Sequence, residues 1–174
     1  MGKGDSEMKQ NNGEKSVMKR LFRCAVVAIV ILGFAGVVWG EGKAQYGTAS
    51  EAEALVKKAI ESFKSKGKDA TFAEINNPKG KFTDRDLYIF VYDMNGKCLA
   101  HGQNPEMIGK DLIDKVDADG KYFVKERIEI AKTKGSGWQY YKFKDPLTKK
   151  TEFKRAYVER SGELIFGSGI YAHQ

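Results

Sequence analysis

The residues best placed to do chemistry lie between Gly135 and Tyr157, in the stretch Gly-Ser-Gly-Trp-Gln-Tyr-Tyr-Lys-Phe-Lys-Asp-Pro-Leu-Thr-Lys-Lys-Thr-Glu-Phe-Lys-Arg-Ala-Tyr. Two segments rich in aromatic and β-preferring residues flank Asp145-Pro146, and proline lacks the donor that a ladder needs, so the stretch reads as a β-hairpin. A period of two sets Trp138, Tyr140 and Lys142 on one face of the first strand and Gln139, Tyr141 and Phe143 on the other. On the second strand, Glu152, Lys154 and Ala156 oppose Phe153, Arg155 and Tyr157. A phenol is an apolar wall with a hydrogen-bonding tip, and an ammonium is a compact triple donor. Tyrosine and lysine converging on one cavity would therefore suit a small organic anion. The same pattern also permits an ordinary half-buried hairpin with its lysines on the wet face.

Two other constellations invite a chemical reading and carry less. Cys98 and His101 stand three apart in a β-favouring segment, which sets them on opposite faces of an ideal strand; a buried structural thiol is expected there rather than a Cys-His nucleophile, and no enzymatic activity is expected. Asp117-Ala-Asp-Gly120 resembles the start of a calcium loop, but its glycine falls too early and no ligand-bearing Glu follows at the right distance. Helix capping by Asp119 is the preferred reading. With no haem motif, nucleotide loop or Cys/His cluster in the chain, no cofactor and no metal are expected.

The elements that must position the hairpin are legible. Thr48-Ala-Ser-Glu51 has capping-box spacing, and Ala52, Leu55, Val56, Ala59, Ile60 and Phe63 follow at helical intervals to a stop at Gly67. A shorter helical piece, Ala70 to Ile75, ends at Asn77-Pro78. Leu87 to Asp93 is a strand with both faces covered, returned by a turn at Asn95-Gly96 through Lys97 to His101. A long irregular region from Gly102 leads into a helix over Tyr122 to Lys134, with Phe123, Val124, Ile128 and Ala131 inward. After the hairpin, Ser161-Gly162 turns into a last strand, Glu163 to Tyr171. Consecutive hairpins predict an α+β domain: an antiparallel five-stranded sheet with its helices on one side.

At 174 residues, 41% hydrophobic and 30% charged, the chain has room for one ordinary domain. Of the net charge of +7, residues 1–44 carry seven Lys/Arg and four Asp/Glu, leaving a dispersed 23 against 19 for the remainder; no nucleic-acid surface is expected. Residues 1–17 read as a disordered extension. Residues 18–44 combine Lys19, Arg20 and Arg23 with a sixteen-residue apolar run, Cys24 to Trp39, the pattern of a secretory signal. That run spans about 24 Å as a helix against roughly 30 Å of hydrocarbon, so cleavage is favoured over an N-terminal membrane anchor, the alternative. Translation could start at Met1 or Met18. Once the signal is removed, Cys98 is the remaining cysteine and no intramolecular disulfide can form. A periplasmic or secreted domain over 45–174 is expected.

From Leu87 to Tyr171 the chain resembles the Cache family of extracellular sensor domains, specifically the single-Cache type of bacterial chemoreceptors and sensor kinases. The matching pieces are Tyr88-Ile-Phe-Val-Tyr-Asp with Asn95-Gly96, Leu99 to Pro105 with Gly109-Lys-Asp-Leu, and Asp117 to Phe123. They continue through Gly135-Ser-Gly-Trp with Tyr141 and Phe143, Lys154 with Tyr157, and Gly167-Ser-Gly-Ile-Tyr171. The resemblance implies a PAS-like sheet with the long N-terminal helix packed along one side and a pocket on the other, typically for a small metabolite such as a short-chain carboxylate. It implies that Lys154 with Tyr141 and Tyr157 meets the carboxylate, that His101 adds a polar contact, and that Phe90 and Trp138 supply apolar walls. Lys154 and Tyr157 have opposite parity, so both reach one cavity only if a bulge intervenes. With Ala172-His173-Gln174 alone beyond the last strand, the expectation is a ligand-binding module that passes its signal to a separate membrane receptor or sensor kinase. A protein-interaction scaffold without a small-molecule ligand is the alternative.

Overall fold

A computed structural model describes residues 45–172. The expectations for residues 1–17 and 18–44 lie outside the described residues. Helix α1, Ala49–Lys66, starts where the sequence places it: Thr48 Oγ1 accepts the Glu51 amide at 3.2 Å, and Glu51 Oε2 accepts the Thr48 amide at 2.8 Å. It stops at Gly67, whose φ of +81° favours glycine. Helix α2, Lys68–Ile75, follows directly. A two-stranded ribbon, β1 (Thr83–Asp84) and β2 (Leu87–Tyr88), precedes β3 (Phe90–Asp93) and β4 (Cys98–His101). A 3-10 turn at Pro105–Met107 and helix α3, Phe123–Thr133, lead to β5 (Ser136–Lys144), β6 (Thr151–Ser161) and β7 (Leu164–Tyr171). The main sheet is antiparallel throughout, in the order β4-β3-β7-β6-β5. The last strand in sequence is therefore the central one. The expected single strand from Leu87 breaks at Ile89, so its first two residues join the ribbon instead.

Alternation along the strands builds two cores, one per face. Val91, Tyr157 and Phe166 pack with Val56, Ala59 and Ile60 of α1 and with Phe72 and Ile75 of α2. Phe90, Tyr92, Tyr141, Ala156, Ile165 and Tyr171 pack on the other face against Phe123, Val124, Ile128 and Ala131 of α3. The sheet is thus covered on both sides. The expectation of helices on one side holds for α1 and α2 and is corrected for α3: its inward residues need an apolar face of their own, and the first face is already filled.

Both edges of the sheet are closed by the region between β4 and α3. On the β4 edge, the Cys98 amide donates to Lys110 O at 3.0 Å, and the Gly109 amide to Cys98 O at 2.7 Å. On the β5 edge, Asp117 Oδ2 accepts the Lys142 amide at 2.8 Å and Lys121 Nζ reaches Tyr140 O at 2.5 Å. Exposed strand edges invite pairing with other chains, and these backbone and side-chain contacts occupy part of each edge. Asp119 does not cap α3, which begins after Tyr122 without a side-chain cap; its carboxylate accepts Lys142 Nζ at 2.8 Å.

The central strand carries glycine where its neighbouring strands crowd it. A Cβ at Gly167 would run into the Phe90 ring, and one at Gly169 into Arg155 O and the backbone of Ala156. A ring can shift, but a ladder carbonyl cannot without breaking pairing. Gly169→Ala is expected to lower unfolding free energy by about 1–3 kcal/mol in urea titration, and Gly67→Ala, with open space around its Cβ, to cost about 1–3 kcal/mol through its φ of +81° alone.

Candidate functional site

Lys154 sits mid-strand on the α3 face, directly opposite Tyr141 of β5 and Tyr171 of β7. Its side chain is fully buried. The ammonium donates to Tyr171 Oη at 3.2 Å and lies 3.8 Å above the Tyr88 ring centre, with Phe90 and Phe143 rings at 5.7 and 5.8 Å. Tyr171 Oη in turn donates to Lys144 O at 2.9 Å, which leaves Tyr88 to donate to Tyr171 at 3.0 Å. Burial, and then the charge of Arg127, pull the Lys154 pKa well below its ordinary 10.5; Asp86 and Asp145 oppose this from a distance.

A second buried cation comes from α3. Arg127, 1% exposed, stands with its guanidinium 4.3 Å from the Phe90 ring centre and 4.5 Å from that of Tyr92. Its Nε donates to Gln139 Oε1 at 3.0 Å, and the Gln139 amide donates to Phe123 O and Glu126 Oε2. The sequence reading passed over this residue, although the helical period marks it: Phe123, Val124, Ile128 and Ala131 face inward, and position 127 lies on that same face. Among the described residues, neither Arg127 nor Lys154 forms an ion pair with a carboxylate. Tyr141, stacked on Phe123 at 4.8 Å, lies between the two cations' elements.

His101 reaches the same aromatic surroundings from β4. Its ring centre is 5.0 Å from that of Tyr88, 6.4 Å from Phe90 and 6.3 Å from Phe143. Nδ1 accepts the amides of Gln103 at 3.3 Å and Asn104 at 3.0 Å. Burial, aided by the charges of Lys154 and Arg127, pushes its pKa down to about 3. Beside it opens a cleft of about 350 Å³, bounded by Tyr88, His101, Phe143, Asn104 and the hairpin turn at Lys144 and Pro146.

Of the residues singled out by sequence, the structure therefore brings together Lys154, Tyr141, Phe90 and His101. It does not bring Trp138 or Tyr157 to them. These two form a cross-strand pair on the α1 face, with ring centres 5.3 Å apart and Arg155 stacked 4.3 Å over Trp138, while Tyr157 Oη donates to Glu159. The β6 ladder runs without a bulge from Lys154 to Ser161, so parity decides. A bulge does occur where none was expected. Phe90 pairs with His101 and Tyr92 with Cys98, an irregularity at Leu99 that returns Cys98 and His101 to one face. They still make no nucleophile pair: burial raises the thiol pKa to about 11, and the imidazole Nδ1 is already engaged by two amides.

Residues 41–172 match the single Cache domain 2 family. The chain belongs to this family. It is 32% identical over 89 residues to the sensor histidine kinase MctS of Rhizobium johnstonii, which covers 50% of this chain and 19% of that one. The chain thus spans about a fifth of the length of that relative. Among solved structures, a methyl-accepting chemotaxis protein of Vibrio parahaemolyticus superposes with a TM-score of 0.62 at 23% identity, covering 70% of this chain and 86% of that one. A Cache chemosensory domain solved for its recognition of carboxylic acids superposes with a TM-score of 0.61 at 22% identity, covering 71% and 92%. The fold is therefore that of a sensory Cache domain of the kind found in chemoreceptors and sensor kinases.

The buried lysine of this Cache domain has a stability consequence. Its pKa is lower folded than unfolded, so between the two values unfolding takes up a proton; the group favours the fold most above 10.5, and that contribution is lost as pH falls. Lys154→Met removes the cation while keeping length. The ligand-free variant is expected to be more stable than the parent by about 1–4 kcal/mol at pH 7 in chemical denaturation, with the gap narrowing as pH approaches 10.5.

Proposed function

We propose that this Cache domain is a non-catalytic sensor module outside the cytoplasm that binds a small organic anion, a short-chain carboxylate, between Arg127 and Lys154. The observation that carries the reading is two buried cations from different elements with no ion-paired carboxylate among the described residues. A buried charge left uncompensated costs several kcal/mol, and an incoming carboxylate offsets that cost for both partners at once. Tyr141 is suited to donate to the anion, Phe90 and Tyr92 to wall the aliphatic part, and the cleft beside His101 to serve as entry. The carboxylic acid recognition reported for one structural relative supports the ligand class, and the kinase and chemotaxis relatives support a receptor or sensor kinase as the partner in signalling.

A thermal-shift screen of the purified protein against acetate, propionate, lactate, pyruvate, amino acids and amines tests this. Stabilisation by a carboxylate is expected, and Lys154→Met or Arg127→Met is expected to cost about 2 kcal/mol of affinity, roughly 30-fold, in calorimetry. A flat screen, or carboxylate binding that survives both substitutions, overturns the reading and moves the weight to an interaction scaffold.

A further inference from the structure

One group in the site is fixed more tightly than a generic anion pocket requires. His101 Nδ1 accepts two backbone amides, those of Gln103 and Asn104. An imidazole whose Nδ1 accepts carries its proton on Nε2. A second proton on Nδ1 would break both bonds, and burial beside Lys154 and Arg127 opposes it further, holding the pKa to about 3. The ring therefore presents one N–H donor, always protonated at physiological pH, beside a cleft that His101 lines. Among the described residues Nε2 has no hydrogen-bond partner.

The donor stands close to the lysine. Lys154 Nζ is 3.8 Å and the His101 ring centre 5.0 Å from the same Tyr88 ring centre, so the two are separated by at most 3.8 plus 5.0, or 8.8 Å. They also share Phe90 and Phe143 as neighbours. Donors no farther apart than this can be bridged by two oxygens of one small ligand, each about 2.9 Å from its donor. Oxygens on adjacent carbons supply such a pair.

Resting on the carboxylate reading above, we propose that His101 is the specificity residue of this site: its Nε2–H donates to a hydroxyl or keto oxygen on the carbon next to the carboxylate, selecting 2-hydroxy and 2-oxo acids over plain fatty acids. The selection arises because a ligand lacking that oxygen leaves a buried donor unpaired on binding, which discriminates more strongly than a lost methylene would.

Calorimetry with propionate, lactate and pyruvate, ligands of equal carbon count, tests the proposal with two complementary variants. His101→Asn keeps an oxygen where Nδ1 accepts the two amides and removes the Nε2 donor. His101→Gln keeps a donor at the Nε2 reach and gives up the amide acceptor. The purified protein is expected to bind lactate or pyruvate at least tenfold more tightly than propionate, with that ratio flat from pH 5 to 8. His101→Asn is expected to bring the ratio near one, and His101→Gln to retain most of the preference. Equal affinity for all three ligands in the parent, or a preference that survives His101→Asn, overturns the role of His101 alone. No binding of any of the three overturns the carboxylate reading and this inference with it.

Discussion

Two positive charges enclosed by aromatic rings are the constraint on which the rest of this domain depends. Arg127 and Lys154 are both withdrawn from water, and each is held by a hydrogen bond to a neutral side chain and by ring faces rather than by an acid. A cation over a desolvated ring gains on the order of 2 kcal/mol, less than it loses on leaving water. The two cations respond differently. Arginine's delocalised fork stays charged when buried and is suited to stacking between Phe90 and Tyr92, whereas a lysine so placed loses its proton readily. Burial beside Arg127 disfavours the charged form of Lys154 in the ligand-free fold, and an arriving anion favours it.

Keeping such a site dry sets the architecture around it. The face of the sheet that holds the cations must be roofed, and α3 does this with Phe123, Val124, Ile128 and Ala131 while delivering Arg127 from the same side. The segment between β4 and α3 closes both sheet edges and, through the amides of Gln103 and Asn104, orients His101. Helix α1 does none of this. Its role is to bury the opposite face, against Tyr157 and Phe166, so that the five strands form a stiff plate through which Lys154 projects.

How much of this was legible depends on which physical signal each feature leaves. Strong local chemistry read correctly: the Thr48-Glu51 capping box, the Gly67 stop, the Asn95-Gly96 and Asp145-Pro146 turns, and the five strands follow from residue types a few positions apart. Parity along β6 also separated Lys154 from Tyr157, and the regular ladder leaves no exception to it. The failures share a cause, which is that they turn on tertiary register. A single bulge at Leu99 inverts the face assignment of His101 relative to Cys98, and nothing in Lys-Cys-Leu-Ala-His announces it. Arg127 was visible as the polar member of an apolar helix face, but a lone charge there reads as an edge residue until the opposite sheet face is known to lack a carboxylate for it. Asp119 lost its capping role to Lys142 because the 117–121 turn folds toward β5.

The size of a short-chain acid explains why burial of the cations is necessary at all. Small ligands gain at most about 1.5 kcal/mol per non-hydrogen atom, so a molecule of about five such atoms cannot exceed roughly 7.5 kcal/mol, which corresponds to a dissociation constant of a few micromolar. Reaching even part of that ceiling requires every contact to be strong. A solvent-exposed pair of charges contributes about 1 kcal/mol or less and is screened by salt, whereas the same contact in a dry, aromatic-lined site is several times stronger. The cost of holding Arg127 and Lys154 out of water in the ligand-free fold is therefore what makes a useful affinity for so small an anion attainable, and it falls on the protein's stability rather than on the ligand. The fixed tautomer of His101 serves the same economy: with its proton already on Nε2 and its ring held by two amides, no ordering or proton transfer has to accompany binding.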